Sequence, residues 1–345
     1  MLLEELAYDL PESLISAYPA EDRVSARLLV LDRRSGAITH SRFACLGEFL
    51  SPGDLLVLNN SRVIPARLEG RKESGGRVTV LLVEPFDVPG GLWLALLDAS
   101  KKPRPGSRIA LPEGVAATVL GDLGSGRYGL RFEPPERFRE VLDAVGTPPL
   151  PHYIQRVRGV EEGDRDGYQT VYASMPGSVA APTAGLHFTR ALLDELAARG
   201  VDSVHVTLHV GLGTFRPVRE RVVENHRVDG EWYTLTEAAA ARIRRARAEG
   251  GRVVAVGSTT TRTLESIVRR KGRVAADSGI TRLFITRGYR FRGVDALVTN
   301  FHLPRSTPLA MVAALAGLDR VRRAYAEAIH QAYRFYSYGD AMLIV

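Results

Sequence analysis

Between residues 294 and 317 the chain passes from an apolar run, Ala296-Leu297-Val298-Thr299, through a polar elbow, Asn300 to Thr307, into an unbroken apolar stretch, Leu309 to Ala316. A near-continuous apolar run of that length fits a strand buried on both faces. Pro308 suits a first helical position, with Ser306 or Thr307 as N-cap. The pattern predicts strand, elbow, helix. It recurs at Pro182–Thr189, between Ser178–Ala181 and a helix over Arg190–Arg199, and at Gly257–Arg262, between a strand over Arg252–Val256 and a helix over Arg262–Arg270. The same reading predicts a hairpin from Arg27–Leu31 into Ala37–His40, a strand over Leu55–Leu58, and a strand over Val204–Val210 that ends in Gly211-Leu212-Gly213-Thr214-Phe215. It also predicts a helix over Leu235–Glu249, a strand at Phe284-Ile285 and an amphipathic helix from about Asp319.

The texture differs between about Val63 and Pro135. Short β-forming runs (77–83, 92–97, 107–111, 116–120, 128–132) are broken by Gly/Pro turns, with no helix-length period among them. Strands at that spacing predict a small barrel or sandwich, closed by a helix over Glu136–Val145. The fold expected is therefore α/β: a mixed-sheet main domain of residues 1–62 and 148–345, interrupted by an inserted barrel-like all-β domain of residues 63–147. One segment, Asp122-Leu123-Gly124-Ser125-Gly126, looks like the glycine loop of a Rossmann-type methyltransferase. Such a loop has to open a helix; here the alternating Arg127–Phe132 follows, so a hairpin turn is expected.

A length of 345 residues with 45% hydrophobic and 25% charged residues is enough for two cored domains. No run is long enough to span a membrane, and Met1–Glu5 lacks a basic segment ahead of an apolar one, so a cytoplasmic protein with no membrane partner is expected. Cys45 is the single cysteine, which removes disulfide frameworks and thiolate metal clusters. The net charge of +7 suits a polyanionic partner. The skew of 42 arginines to 4 lysines (46 − 4 = 42) is also what genomic base composition produces, so the charge argues only modestly for nucleic acid.

Loops at the carboxyl ends of strands are where open α/β sheets bind ligands, and three elbows with hydroxyls argue for one shared pocket. His187 and His302 are candidates for acid–base or hydrogen-bonding work, or else loop histidines bound to local backbone. His205 and His209 share a strand face, with His209 beside the glycine loop and nearer a pocket. No compact metal-ligand motif is present; a site from His187, His209, His226 and Glu231 is conceivable but disfavoured. Glu265 and Arg269, at i and i+4, read as a surface pair. Arg262, read as starting a helix, is ill placed for the dipole and favours an anionic ligand there. The runs 242–247 and 269–273 with Arg287, Arg290 and Arg292 are either solvated faces or a phosphate-contacting patch. Tyr333, Phe335, Tyr336 and Tyr338 either stack bases or pack the core.

Four segments carry a resemblance: Pro182-Thr183-Ala184-Gly185-Leu186-His187-Phe188, His209 to Phe215, Thr299-Asn300-Phe301-His302-Leu303-Pro304 and Tyr336 to Met342. With Tyr8-Asp9-Leu10-Pro11 and Arg23–Leu28, they resemble the S-adenosylmethionine:tRNA ribosyltransferase-isomerases over nearly the whole chain. The chain departs from that pattern at His226–Glu231, where a second histidine is missing, at Pro308, and at Ser258–Thr261. The resemblance implies an α/β domain interrupted by a β-barrel. It implies transfer of the ribosyl part of S-adenosylmethionine to 7-aminomethyl-7-deazaguanine at the tRNA wobble position, with isomerisation to an epoxycyclopentanediol and release of adenine and methionine. The partners implied are S-adenosylmethionine, consumed as a substrate with no resident cofactor, and the anticodon loop of tRNA; a monomer is expected. On this reading His187, His302 and His209 are the catalytic candidates and no metal takes part. Thr183, Gly185, Gly211, Gly213, Thr214, Phe215, Thr259, Arg262, Asn300, Phe301 and Thr307 are the substrate-binding candidates, with Phe215 or Phe301 packing on a base. Two other readings make different products: an RNA-binding protein without catalysis releases no adenine, and a methyltransferase leaves S-adenosylhomocysteine.

Overall fold

Nine segments join edge to edge in one mixed sheet, in the order Asp277–Thr281, Glu231–Leu235, Asp202–Leu208, Leu55–Asn59, Val253–Val256, Ala296–Asn300, Ala341–Ile344, Arg27–Leu31 and Ile38–Arg42. The computed structural model describes the backbone of residues 1–20, 22–87, 90–124, 126–157, 159–161, 163–211 and 218–345, and the side chains of these except 85–87, 152, 155 and 156. The chain divides into two compact units. One comprises Met1–Arg62, Gln169–Met175 and Ala181–Val345; the other comprises Val63–Tyr168 and Pro176–Ala180.

In the first unit, Asp202–Leu208, Leu55–Asn59, Val253–Val256 and Ala296–Asn300 run parallel at the centre of the sheet. All of Leu55–Asn59, Val253–Val256 and Ala296–Asn300 are buried, as both-face coverage requires. One face carries Leu28, Val30, Leu56, Leu58, Val254, Val256, Ala296, Val298 and Leu343 into a core completed by Phe43, Leu46, Phe188, Leu192 and Leu196. Helices Arg190–Ala198, Glu237–Ala248 and Ser258–Lys271 pack on the sheet. Asp54, 3% exposed, accepts both Arg252 Nε contacts at 3.1 Å and the Arg252 N–H at 3.0 Å, tying together the starts of two adjacent central strands.

The element boundaries depart from the sequence expectation in five places. The helix expected from Arg262 begins at Ser258. Threonines disfavour helix interiors, but here three of them satisfy their hydroxyls on the preceding turn: Thr260 Oγ1 donates to Val256 O at 2.8 Å, Thr261 to Gly257 O at 3.1 Å and Thr263 to Thr259 O at 3.0 Å. Leu235 ends a strand, and its helix starts after Thr236, whose hydroxyl accepts from Ala239 N at 3.3 Å. Phe284 and Ile285 are not a strand; the edge strand is the polar Asp277–Thr281. Ala341–Ile344, not expected at all, enters the sheet antiparallel to Ala296–Asn300 and parallel to Arg27–Leu31. The first elbow follows no strand of the main sheet, and its residues Thr183–His187 form a 3₁₀ turn.

The second unit contains a closed antiparallel barrel in the order Arg127–Glu133, Leu92–Asp98, Arg77–Asp87, Arg67–Lys72, Arg108–Ala110, Ala116–Asp122. Alternation does the work: Val78, Val80 and Leu82 point inward from one strand to meet Leu68, Ala95, Ile109, Ala117, Val119 and Leu130. Helix Pro135–Val145 closes the unit with Phe138, Val141 and Leu142, and Phe138 stacks on Phe132 at 3.8 Å between ring centroids. Ala116–Asp122 and Arg127–Glu133 pair antiparallel through Gly124 and Gly126, both at positive φ; Ser125 of the expected hairpin turn lies outside the described residues. The methyltransferase-like segment thus opens a strand, not a helix.

Candidate active site

The central parallel strands all point their carboxyl ends at one cleft. Its walls are Pro182, Thr183 and Ala184 from the first elbow, Val210 after Asp202–Leu208, and Gly257, Ser258 and Thr259 after Val253–Val256. Thr299, Asn300 and His302 come from the end of Ala296–Asn300, and Tyr336 and Ser337 from the turn before Ala341–Ile344. A second lobe shares Ser258 and Pro308 and is lined by Asp229, Glu231, Arg262, Leu283, Phe284, Ile285, Thr307 and Met311. The lobes span about 560 and 460 Å³, the open solvent at their mouths included. The three elbows therefore meet, as their shared hydroxyl chemistry suggested.

The polar ends are held by a buried lattice. Asn59, fully buried, donates to Leu208 O at 3.0 Å and to Thr259 Oγ1 at 3.2 Å, and accepts from Leu208 N at 3.0 Å. Asn300 is 2% exposed; its Oδ1 accepts from Thr183 Oγ1 at 3.0 Å, while its Nδ2 has no partner among the described residues. A buried amide donor left open at a cleft wall is a place for a ligand acceptor. Beside it begins helix Ser258–Lys271, whose N-cap Gly257 supplies no side-chain oxygen, so its first turn has no side-chain cap among the described residues.

His302 lines the cleft, its ring held through Nε2 and its backbone held by two tyrosines. Thr299 Oγ1 lies 2.7 Å from its Nε2, its N–H donates to the Tyr325 hydroxyl at 3.1 Å, and the Tyr8 hydroxyl donates to its carbonyl. Burial lowers its pKa to about 3, so the ring is neutral in the folded protein. His187 does not line the cleft. It is 5% exposed, packs 5.0 Å from the Phe43 ring, and faces main-chain carbonyls with both ring nitrogens, Ala184 O at 3.2 Å and Gly339 O at 3.0 Å. Burial, only partly offset by those two contacts, also lowers its pKa. His209 lies flat against Trp232, with centroids 5.1 Å apart and planes 19° apart, and likewise stays off the cleft wall.

In the second lobe Arg262 bonds the Glu231 carboxylate and donates from Nε to Leu283 O at 2.9 Å. It stands in the second turn of its helix, and Glu231 answers its charge, which removes the dipole argument made from the sequence. Glu231 also accepts the Gly211 N–H at 3.0 Å, so the start of the glycine loop is pinned to this pair. Gly213, Thr214 and Phe215 lie outside the described residues. Gly185 serves packing: a Cβ there would lie 2.0 Å from the Tyr172 hydroxyl. Phe301 is wholly buried among Tyr325, Tyr333 and Phe335 and turns away from any base. Thr183, Thr259, Asn300, Thr307, Arg262 and His302 are brought to the cleft; Asn59, Ser258, Tyr336 and Ser337 belong with them and were not singled out from the sequence. Tyr336 carries a signal that only the backbone shows, φ of 77° in a non-glycine residue.

One sequence expectation fails at the periphery. Glu265 is 1% exposed and unavailable to Arg269; it accepts from Gly293 N at 2.7 Å, Arg292 N at 3.0 Å and the Tyr289 hydroxyl at 3.0 Å. Of the two readings of the C-terminal aromatics, core packing holds for Tyr333, Phe335 and Tyr338, at 1%, 0% and 4% exposure, while Tyr336 lines the cleft. Among the described residues no group of three or more His, Cys, Asp or Glu is placed to hold a metal, and no helix is long and apolar enough to cross a membrane.

The whole chain resembles known proteins. The family described as "Queuosine biosynthesis protein" matches residues 3–344. The S-adenosylmethionine:tRNA ribosyltransferase-isomerase of Geotalea uraniireducens is 49% identical over 344 residues, and that of Caldanaerobacter subterraneus 48% over 347, each covering 100% of both chains. The crystal structure of S-adenosylmethionine tRNA ribosyltransferase from Thermotoga maritima superposes with a TM-score of 0.58 at 38% identity, covering 99% of this chain and 100% of that one.

Proposed function

We infer the chemistry of the cleft from one premise: the chain belongs to the queuosine-biosynthesis family of S-adenosylmethionine:tRNA ribosyltransferase-isomerases. The protein is an enzyme that transfers and isomerises the ribosyl moiety of S-adenosylmethionine onto 7-aminomethyl-7-deazaguanine in tRNA, giving epoxyqueuosine-tRNA with release of adenine and methionine. The observation that carries this is the match at 49% identity that covers 100% of both chains.

The substrate is a sulfonium nucleoside with an α-carboxylate. Our reading puts that carboxylate against the open Nδ2 of Asn300 and the first-turn N–H groups of helix Ser258–Lys271, which together favour an anion. Thr183 and Thr259 hold Asn300 and Asn59 in place and offer hydroxyl oxygens to the ribose. His302, neutral and with a depressed pKa, is a weak base at physiological pH; it serves as an oriented hydrogen-bonding partner. The sulfonium acidifies the adjoining 5′ carbon and is a good leaving group, so the site has to accept that proton and to hold the tRNA amine in line. We extend the reading to the anticodon loop as the docked part of tRNA, a monomer working in the cytoplasm, and no resident cofactor, because S-adenosylmethionine is consumed.

The test is to incubate the protein with S-adenosylmethionine and tRNA carrying 7-aminomethyl-7-deazaguanine, then identify the small products. Adenine and methionine are expected; S-adenosylhomocysteine, or unchanged S-adenosylmethionine beside bound tRNA, overturns the assignment. Asn300→Asp places a carboxylate where one is to bind, so KM for S-adenosylmethionine should rise at least about tenfold, the cost of losing one charge-assisted hydrogen bond. An unchanged KM removes the carboxylate subsite.

A further inference from the structure

The basic run 242–247, read from the sequence as either a solvated face or a phosphate-contacting patch, is spent on local carboxylates. Arg242 pairs with Asp202 at 2.8 Å, Arg244 with Glu237 at 2.6 Å, Arg245 with Glu249 at 2.8 Å and Arg247 with Asp295 at 3.0 Å. Of the C-terminal aromatics, Tyr333, Phe335 and Tyr338 are core. A different surface has the right composition. Strands Glu231–Leu235 and Asp277–Thr281 pair antiparallel at the edge of the sheet, with Trp232 directly opposite Ile280. Both remain open, Trp232 at 40% and Ile280 at 54% exposure.

The indole is not a stray surface aromatic. His209 backs it as a parallel stack, and the His209 N–H donates to Trp232 O at 2.9 Å, so ring and backbone are both fixed. Burial keeps the imidazole neutral by lowering its pKa, which leaves an uncharged double layer with one face free. Arg282 lies alongside: a Cβ on Gly230 would sit 2.6 Å from Ile280 Cγ2 and 3.3 Å from Arg282 Nη2, so the three residues share one surface. Along the chain the platform is one residue from the cleft at two points, because Val210 follows His209 and Glu231 precedes Trp232, and these line the two lobes; alternation sets the Trp232 side chain on the face of its strand opposite Glu231.

We propose that the Trp232–His209 stack, with Ile280 and Arg282, docks a nucleotide of the tRNA that neighbours the modified base, the indole stacking on its base and the guanidinium meeting its phosphate. A wobble base has to leave its neighbours to enter a cleft, and a rigid aromatic face gives a neighbouring base a replacement for the stacking lost. The assignment rests on the ribosyltransferase-isomerase reading for the identity of the polyanion.

The chain has two tryptophans, and Trp93 is 9% exposed in the barrel core, so emission that responds to bound RNA reports Trp232. Titration with tRNA carrying the deazaguanine should quench the emission saturably in the wild type and not in Trp232→Phe. Trp232→Ala should weaken tRNA binding by about tenfold to a hundredfold, the range for one stacked base, with KM for S-adenosylmethionine at saturating tRNA within about twofold of wild type. Trp232→Phe should recover most of the affinity, and Arg282→Ala should reduce the slope of log affinity against log salt by about one. Quenching that persists in Trp232→Phe, or wild-type tRNA affinity in Trp232→Ala, overturns the platform. Failure of the parent reading looks different: the wild type then binds tRNA yet releases no adenine, and the binding titrations still judge the platform.

Discussion

Single side chains in this protein are sorted by where their partners come from. Five of its histidines, His187, His205, His209, His226 and His302, have pKa values lowered chiefly by burial. A base whose folded pKa lies below its unfolded value of 6.5 binds more protons when unfolded. Stability from these groups is therefore complete above about pH 6.5 and is lost as pH falls, for His302 down to about 3. Thermal melting followed from pH 7 to pH 4 should show a declining Tm, no steeper per histidine than about 1.4 kcal/mol per pH unit. His302→Asn, which cannot titrate, should flatten that decline; an identical acid limb in the variant contradicts the assignment. The sequence marked His187 and His302 as equals, because both sit in polar elbows. What separates them is the supply of carbonyls around His187, including Gly339 from 152 residues away, which no local pattern announces.

Among the elements, the central strands and most helices follow from apolar period alone, and the exceptions have identifiable causes. The threonine run at residues 259–261 reads as loop because β-branched residues lose χ1 freedom in helices; bonding to the preceding turn compensates, and the helix starts four residues early. The strand Ala341–Ile344 is too short for a period, and its position between two strands far from it in sequence comes from the sheet. The Asp54–Arg252 pair is another long-range tie. Burial raises the Asp54 pKa, but hydrogen bonds from Arg252 and the Ser51 and Arg252 N–H groups outweigh it and hold the carboxyl below its usual range. Asp54→Ala leaves the guanidinium and two N–H groups without their acceptor and should cost about 3–5 kcal/mol in urea unfolding. Because its folded pKa is depressed, this contribution is present above the ordinary carboxylate range and lost on acidification below it. A loss under about 1 kcal/mol would show that water replaces the aspartate.

At the scale of the molecule, charge is the quantity most easily misread. A net +7 invites a basic RNA-binding face, yet the helix Glu237–Ala248 answers its arginines with Glu237, Glu249, Asp202 and Asp295. Arg245→Ala should thus leave tRNA affinity within about twofold at physiological salt, an exposed pair being worth at most about 1 kcal/mol; a tenfold loss in a filter-binding assay would restore that helix to the RNA interface. The barrel, in contrast, was legible from strand spacing and turn residues, because its core is built by neighbours in sequence. Composition and short-range periodicity determine what is decided within about ten residues: strands by alternation, helices by their apolar face, turns by glycine and proline, and motifs long enough to mark a family. The working face of each motif is settled elsewhere. Asn300 meets Thr183 across 117 residues and His302 meets Tyr8 across 294, while Phe301 between them is drawn into the core. Direction and desolvation depend on those distant partners, so the tertiary structure alone chooses which of three adjacent conspicuous residues face the cleft.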